Sequence, residues 1–445
     1  MIPLEEARRL AASIEPITAQ QVPLRDACGC LLAEPVRARQ SIPHADTSAM
    51  DGWAVAAPLD GSGQVGAGVS WPRWRLRSDG ARGPGDLLAP LGPGEAVGVV
   101  TGSPVPEGVL SVLRAEHGTV GACGTYLEPS TETGDLEPGR HIRLAGAEAA
   151  AGDELVPAGR LVTPARVAAA AVAGYDGVQV IPRPRAGLLL TGDEVVEAGL
   201  PGPGQVRDVF SVALPAMLHD AGAELGPAAG VGWQSARRMA DDAAALARAF
   251  RETPADLIVT SGGTARSAAD PLRPALAELG AEILISSVDM RPGHPVVLAR
   301  LPVRSGEPRR YVLGLPGNPL AGFAAFTALG VPLLRSLRGV GRAAALRTLE
   351  ARAAEELRGA RRGTRLLPVT VAPVSSWDSP AVRSVGHSGS HMMRGLAQAQ
   401  ALAMVPSTGL AAGDPVRCLP VPGAVADGAA EDGASVQEGE VGWAG

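Results

Sequence analysis

Residues Gly314–Leu320 read Gly-Leu-Pro-Gly-Asn-Pro-Leu, and they constrain their surroundings more than any other stretch of the chain. They follow a short β-type run, Tyr311–Leu313, and precede an apolar segment, Ala321–Leu329, that reads as a helix. Pro316 and Pro319 fix their own φ and confine the residues before them to extended conformations. Gly317 allows a left-handed conformation or a close backbone approach. Pro319 suits a first helical turn, and Asn318 just before it is a good N-cap residue. The spacing predicts strand, turn and helix, with the first helical amides facing outward at a positive helix end, where an anion can bind. Asn318 carries extra weight because it is the only asparagine among 445 residues; the chain also has no lysine, so all 40 basic residues are arginine. An ordinary capped turn would use the same residues, so the neighbouring segments have to decide between the two readings.

Those segments alternate strand-like and helix-like stretches over residues 183–338. Ala186–Leu190 is an apolar run followed by Thr191-Gly192-Asp193-Glu194. Helices are expected over Asp208–Ala221, Ser235–Arg251 and Leu272–Leu279. The strand Asp256–Thr260 runs into Ser261-Gly262-Gly263-Thr264, and Ile283–Ser286 leads to Arg291-Pro292-Gly293-His294-Pro295. Val296–Ala299 and Arg310–Leu313 complete the expected sheet. This is the pattern of an α/β domain with a largely parallel, doubly wound sheet. Four glycine-containing turns, at 191–194, 261–264, 291–295 and 314–319, fall near strand ends, and ligands in such folds collect beyond the carboxyl ends of the strands.

Ahead of this domain, Leu4–Ile14 carries one apolar stripe and reads as a helix, and a second short helix is expected within Val22–Val36. Residues 41–55 form a polar loop entering a strand, with Asp51 held before Gly52; a plain Asp-Gly hairpin turn is the simpler alternative. Short β-like runs over 56–160, among them Val97–Thr101 and Val109–Arg114, suggest a small barrel or sandwich. Pro164–Gly174 reads as an alanine-rich helix ending at a glycine. After residue 340 short strands return, including Thr364–Val374. Gly386-His387-Ser388-Gly389-Ser390-His391 then precedes an expected helix, Met392–Ala401, for which Ser390 is a candidate cap. From Gly423 the chain carries five acidic and no basic residues among glycine and alanine, and is expected to be disordered.

Composition excludes several classes. With a net charge of −6 and no arginine block interleaved with aromatics, nucleic acid is not an expected partner. The acidic start Met1-Ile2-Pro3-Leu4-Glu5-Glu6 is unlike a signal peptide, and no apolar run reaches membrane-span length, so a soluble cytoplasmic protein without a membrane partner is expected. Cys28, Cys30, Cys123 and Cys418 lack zinc-like spacing and read as reduced thiols.

Taken in order, Thr47-Ser48-Ala49-Met50-Asp51-Gly52-Trp53-Ala54-Val55, Thr191-Gly192-Asp193-Glu194, Ser261-Gly262-Gly263 with Asp270, Leu315-Pro316-Gly317-Asn318-Pro319 and the 386–391 motif resemble the signatures of molybdopterin molybdenumtransferases, the MoeA proteins and the related E domain of gephyrin. The resemblance runs from about Pro3 to Pro422. It implies an N-terminal region over 1–180 with a β insert at about 56–140, an αβα molybdopterin-binding domain over 181–338, a C-terminal β-barrel domain over 339–422 and a disordered acidic tail over 423–445. It implies a homodimer that inserts molybdate into adenylylated molybdopterin with Mg²⁺ assisting, releasing AMP and molybdenum cofactor. Carried onto matching positions, Asp51, Glu194 and Asp270 are the site carboxylates and metal ligands, and Arg291 and His294 join them as catalytic residues. Thr191, Gly192, Asp193, Ser261, Gly262, Gly263, Pro316, Gly317, Asn318, Pro319, Ser390 and His391 line the nucleotide-pterin pocket.

Several positions depart from the family pattern. Leu110 stands where the family has an acid, Val209-Phe210 where it has Ser-Asn, and Ser267-Ala268 where it has Gly-Glu. Its Asp-Asp after the third-domain strand is read here as Gln234-Ser235, and its Lys-Pro-Gly-Lys-Pro is Arg291-Pro292-Gly293-His294-Pro295. The retained Asp51, Glu194 and Asp270 favour an enzyme, whereas the missing acids favour a gephyrin-like dimeric scaffold. An adenylyltransferase of the same αβα fold would account only for residues 183–338.

Overall fold

The computed structural model describes residues 1–59, 72–80, 87–130, 133–226, 236–262, 270–303, 308–372 and 379–424. Gly263, the Gln234-Ser235 pair, Ser267-Ala268 and nearly all of the acidic tail lie outside them. The chain forms two compact units, one made of residues 1–20, 29–31 and 180–445, the other of residues 21–28 and 32–179.

The first unit holds an open α/β sheet in the order Glu224–Leu225, Arg185–Leu190, Leu257–Ser261, Tyr311–Leu315, Val297–Arg300 and Glu282–Ile285. The first four strands run parallel, and Arg237–Arg238 also joins Arg185–Leu190 in parallel. Val297–Arg300 runs antiparallel to both of its neighbours, so the sheet is largely parallel with one reversed strand. Alternate residues face opposite ways, as the twofold pleat demands. Leu188, Val259 and Leu313 are buried against the helices Phe210–Asp220 and Pro319–Ala325, while Leu189, Ile258 and Val312 are buried against Ala243–Glu252 and Leu272–Glu278.

The expected helix after Pro319 runs to Leu337 and lies in the core, although its length and apolarity alone would let it cross a membrane. It has a π-turn at Phe326–Gly330. Pro332 has no N–H, so the Ala328 carbonyl four residues earlier loses its usual donor. Arg8, from the helix Leu4–Ala11, donates to that carbonyl at 3.3 Å and to Leu346 O at 3.2 Å. Burial is the main cause that lowers this guanidinium to a pKa of about 10.

The same unit contains a closed barrel in which Thr364–Ala372, Ala381–Ser384, Leu349–Ala353, Pro415–Pro420 and Ala401–Val405 pair in turn, the last returning to the first. Val288–Arg291 and then Ile2–Pro3 extend one side of it. The 291–295 turn therefore springs from this second sheet and not from the α/β sheet. The last helix is only Arg394–Gln398, with Met393 at its cap position and no side-chain cap; Ser390 does not cap it, and Ala401 already opens a strand.

In the second unit a six-stranded sheet runs in the order Gly118–Val120, Tyr126–Pro129, Trp74–Arg77, Glu95–Val99, Gly52–Ala56 and Val109–Arg114. Trp74 is fully buried in it and donates from its indole to Ala56 O at 2.8 Å. Thr163 caps the helix Pro164–Val172, whose first residue is the proline. No helix of any length spans Val22–Val36: Pro23 ends a strand, Leu24–Asp26 is a single 3₁₀ turn, and Leu31–Leu32 and Val36–Arg37 are short strands. Asp51-Gly52 is not a hairpin turn either, because Gly52 opens a strand that pairs on both sides. A Cβ at Gly52 would come within 2.1 Å of Leu113 O, so a side chain there is excluded.

Candidate active site

The carboxyl ends of three neighbouring parallel strands supply the floor of a cavity of about 820 Å³ in the first unit. Thr191 follows Leu190, Ser261 ends its strand, and Pro316 follows Leu315. Thr191 donates from its hydroxyl to Ser261 O at 2.8 Å, and the Gly262 amide donates to Leu315 O at 3.0 Å, so the three turns are laced edge to edge. Gly262 has φ +78°, and a Cβ on Gly317 would lie 3.5 Å from the Gly262 Cα; two bare backbones meet here and leave the space above them open.

The structure brings Thr191, Gly192, Glu194, Ser261, Gly262, Asp270, Pro316, Gly317, Asn318, Pro319 and His391 together around this cavity. Asp193, Arg291, His294 and Ser390 are not among its lining residues. Ser390 acts through its main chain instead, accepting from the Ala321 amide in the first turn of the helix. Arg291 lies across from Arg365 in the paired strands, and Arg365 donates to the Ser388 hydroxyl at 2.9 Å. The His294 imidazole is shifted toward the neutral form, first by burial and then by the Arg291 charge. Asp51 belongs to the second unit, where the Thr101 amide and hydroxyl both donate to one of its oxygens and hold its pKa below the ordinary value.

Asn318 occupies the cap position but makes no side-chain cap bond. Its main-chain carbonyl accepts from the Gly322 amide, which leaves its carboxamide available at the cavity wall. Asn318→Ala should therefore leave thermal stability nearly unchanged while weakening a bound ligand by about 10-fold, one or two hydrogen bonds. Equal ligand affinity by calorimetry in the two proteins would remove Asn318 from the site.

Asp270 is a buried acid of the cavity wall. One of its oxygens accepts from the Leu272 amide at 3.0 Å; the other is enclosed and has no partner among the described residues. Burial is the leading cause that raises its pKa. No group of three or more carboxylate, histidine or cysteine side chains among the described residues is placed to hold a metal. Glu194 and Asp270 line the same cavity, and Asp51 belongs to the other unit.

Sequence reasoning missed Arg207, Arg238 and Asp241, all of which line the cavity. Asp241 accepts from the Gly192 amide at 3.1 Å, and Asp242 caps the helix Ala243–Glu252. An Asp-Asp pair thus stands at 241–242, two residues beyond the strand Arg237–Arg238. The signal was present in the sequence, since two acids immediately before an alanine-rich periodic stretch mark a helix start.

Fold and cavity together define a multidomain α/β protein with a cavity at the strand ends of its α/β sheet. Three family descriptions match the chain in sequence: "MoeA N-terminal region (domain I and II)" over residues 2–174, "Probable molybdopterin binding domain" over 187–336, and "MoeA C-terminal region (domain IV)" over 350–421. Molybdopterin molybdenumtransferase 2 of Mycobacterium tuberculosis is 32% identical over 351 residues, covering 76% of this chain and 80% of the relative. Molybdopterin molybdenumtransferase of Nostoc sp. is 32% identical over 337 residues, covering 72% and 70%. The crystal structure of a molybdopterin biosynthesis MoeA protein from Pyrococcus horikoshii superposes with a TM-score of 0.67 at 23% identity, covering 95% of this chain and 100% of the other, a likeness of fold. The chain belongs to the MoeA family of molybdopterin molybdenumtransferases.

Proposed function

We propose that this protein transfers molybdenum from molybdate to adenylylated molybdopterin, releasing AMP and molybdenum cofactor. The cavity carries the reading: three laced turns at parallel strand ends form a floor that is bare backbone at Gly262 and Gly317, with Asn318 and Asp270 lining the same cavity. Such a floor accepts the flat, pyrophosphate-bearing substrate, whose oxygens match exposed amides and guanidinium groups. The orphaned oxygen of Asp270 fits a cation brought by the pyrophosphate. Mg²⁺ usually takes only one or two protein carboxylates and completes its shell with phosphate and water, which suits Asp270 and Glu194 spread around one cavity. When bound, it would neutralise charge on the phosphates as the P–O bond breaks. The chain's own residues hold the substrate: the Pro316–Pro319 turn and the Asn318 carboxamide fix its position, and the apolar Phe210 and Met393 exclude water from one side. The homodimer is carried over from the family resemblance. The test is AMP release from adenylylated molybdopterin, expected to rise several-fold on adding molybdate. Release indifferent to molybdate would refute the assignment.

Arg291, His294, Arg365 and Ser388 supply a second set of anion-binding groups. If His294 meets molybdate as a cation, anion binding raises its pKa, and affinity must fall as pH rises through the bound-state value. Because burial lowers the free pKa, the strengthening that begins at the bound-state value should continue as pH falls and level off only below about pH 6.5. His294→Gln should flatten that profile. A wild-type affinity for molybdate that is constant from about pH 5.5 to 8.5 would contradict it.

A further inference from the structure

Arg238 sits on a two-residue strand whose partner is Leu190, the last residue before the first cavity turn. Its Nε donates to Glu197 at 3.1 Å and its Nη2 to Asp208. These two carboxylates flank the loop 198–207, which contributes Pro201, Gln205, Val206 and Arg207 to the cavity wall. One guanidinium thus clasps both ends of a wall. Folding alone does not account for it. Glu197 is largely exposed, where an ion pair stabilises little, and the other oxygen of Asp208 already caps the helix by accepting from the Phe210 and Ser211 amides. The remaining nitrogen, Nη1, is enclosed and has no acceptor among the described residues. An enclosed, unpaired donor of a cation carries a cost that an incoming oxygen would remove.

We propose that Arg238 makes this cavity selective for a phosphate ester, offering Nη1 to a phosphoryl oxygen while its other two nitrogens hold the wall loop. The inference rests on the reading of the cavity as a nucleotide-pterin site. Among the described lining residues the acids Glu194, Asp208, Asp241 and Asp270 outnumber the cations Arg207 and Arg238, so an entering phosphate depends on the few cations present. Arg207 already spends one nitrogen on the Val196 carbonyl. The fork held by two carboxylates is preoriented, a geometry that lysine's single ammonium cannot reproduce. Because Nη1 is enclosed, an oxygen reaches it only when the wall shifts, and anion binding is thereby coupled to the loop.

The test uses adenosine, AMP and ADP as probes, with Mg²⁺ present, by calorimetry on the full-length wild type, Arg238→Met and Arg238→Lys. Wild type should prefer ADP to adenosine by about 10-fold or more. Arg238→Met should keep its adenosine affinity and lose that preference, and Arg238→Lys should recover less than half of it on a logarithmic scale. In wild type, ADP but not adenosine should change amide exchange over residues 198–207, a measurement that stands even if Arg238→Met fails to fold. A preference for ADP that survives in Arg238→Met or is fully restored in Arg238→Lys, or loop exchange that responds alike to both probes, overturns the assignment of Arg238. Wild type that binds ADP no better than adenosine overturns it together with the reading of the cavity.

Discussion

Asp270→Asn should leave the protein folded and cut molybdate-dependent AMP release by a factor on the order of 100 or more. The substitution separates two jobs of one side chain. Asparagine keeps a carbonyl oxygen that can accept from the Leu272 amide, so the start of the helix Leu272–Glu278 is preserved. What disappears is the negative oxygen enclosed beside the cavity without a partner. Burial raises the pKa of Asp270, which means the protein pays to keep it charged, and a bound cation would return that cost. Thermal unfolding should change little, while the Mg²⁺ concentration needed for half-maximal release should rise steeply. Full activity at ordinary Mg²⁺ would show that the orphaned oxygen is only a packing accident.

The largest stability effect is expected in the second unit. Asp135 is buried and accepts from His141 Nε2 at 2.9 Å, His117 Nδ1 at 2.9 Å, and both the amide and the side chain of Arg114. Asp135→Ala removes the buried acid shared by two histidines and a guanidinium, leaving Arg114 with Glu116 and His117 with Thr133, and should cost about 3 kcal/mol. Burial by itself would raise the Asp135 pKa, but the bonds from Arg114, His141 and His117 more than reverse this and hold it well below the usual carboxylate range. A depressed folded-state pKa gives stability that is complete above the unfolded value near 4 and is lost as pH falls toward the folded one. Denaturant unfolding from pH 7 to 3 should therefore show the gap between wild type and Asp135→Ala narrowing below about pH 4. A gap independent of pH would mean that packing, not charge, holds this region.

Both effects bear on what the sequence made legible. The α/β order was readable because strand and helix periods differ and glycine turns mark each junction; Leu188 and Leu189 face opposite cores as the pleat requires. The turn at Gly314–Leu320 was readable because proline and glycine act locally. Asp135 was not, since its partners lie 6, 18 and 21 positions away and no periodicity links them. Arg238 was hidden for the same reason: it reaches Glu197 and Asp208 across 41 and 30 positions. The 291–295 turn was misplaced because the local pattern shows a strand but not the sheet it joins, and Val288–Arg291 pairs with Thr364 and Arg365. Val22–Val36 failed differently: its leucines and alanine have helical spacing, yet Pro23 and the left-handed Gly29 break it into extended pieces.

The contact between Arg8 and Ala328 spans 320 positions and caps a carbonyl that Pro332 leaves bare. A ribosome makes residue 8 long before residue 328, so the first helix must wait, with a buried-type arginine still in water, while everything between is made. The residues from 32 to 179 form a unit of their own and can settle during that wait, whereas the unit with the cavity is closed by its first and its late segments together. A nascent chain stopped before Ala328 would hold all three cavity turns and yet lack the contact that joins its first helix to its late one. The order in which this protein is written is therefore not the order in which its ligand cleft becomes real.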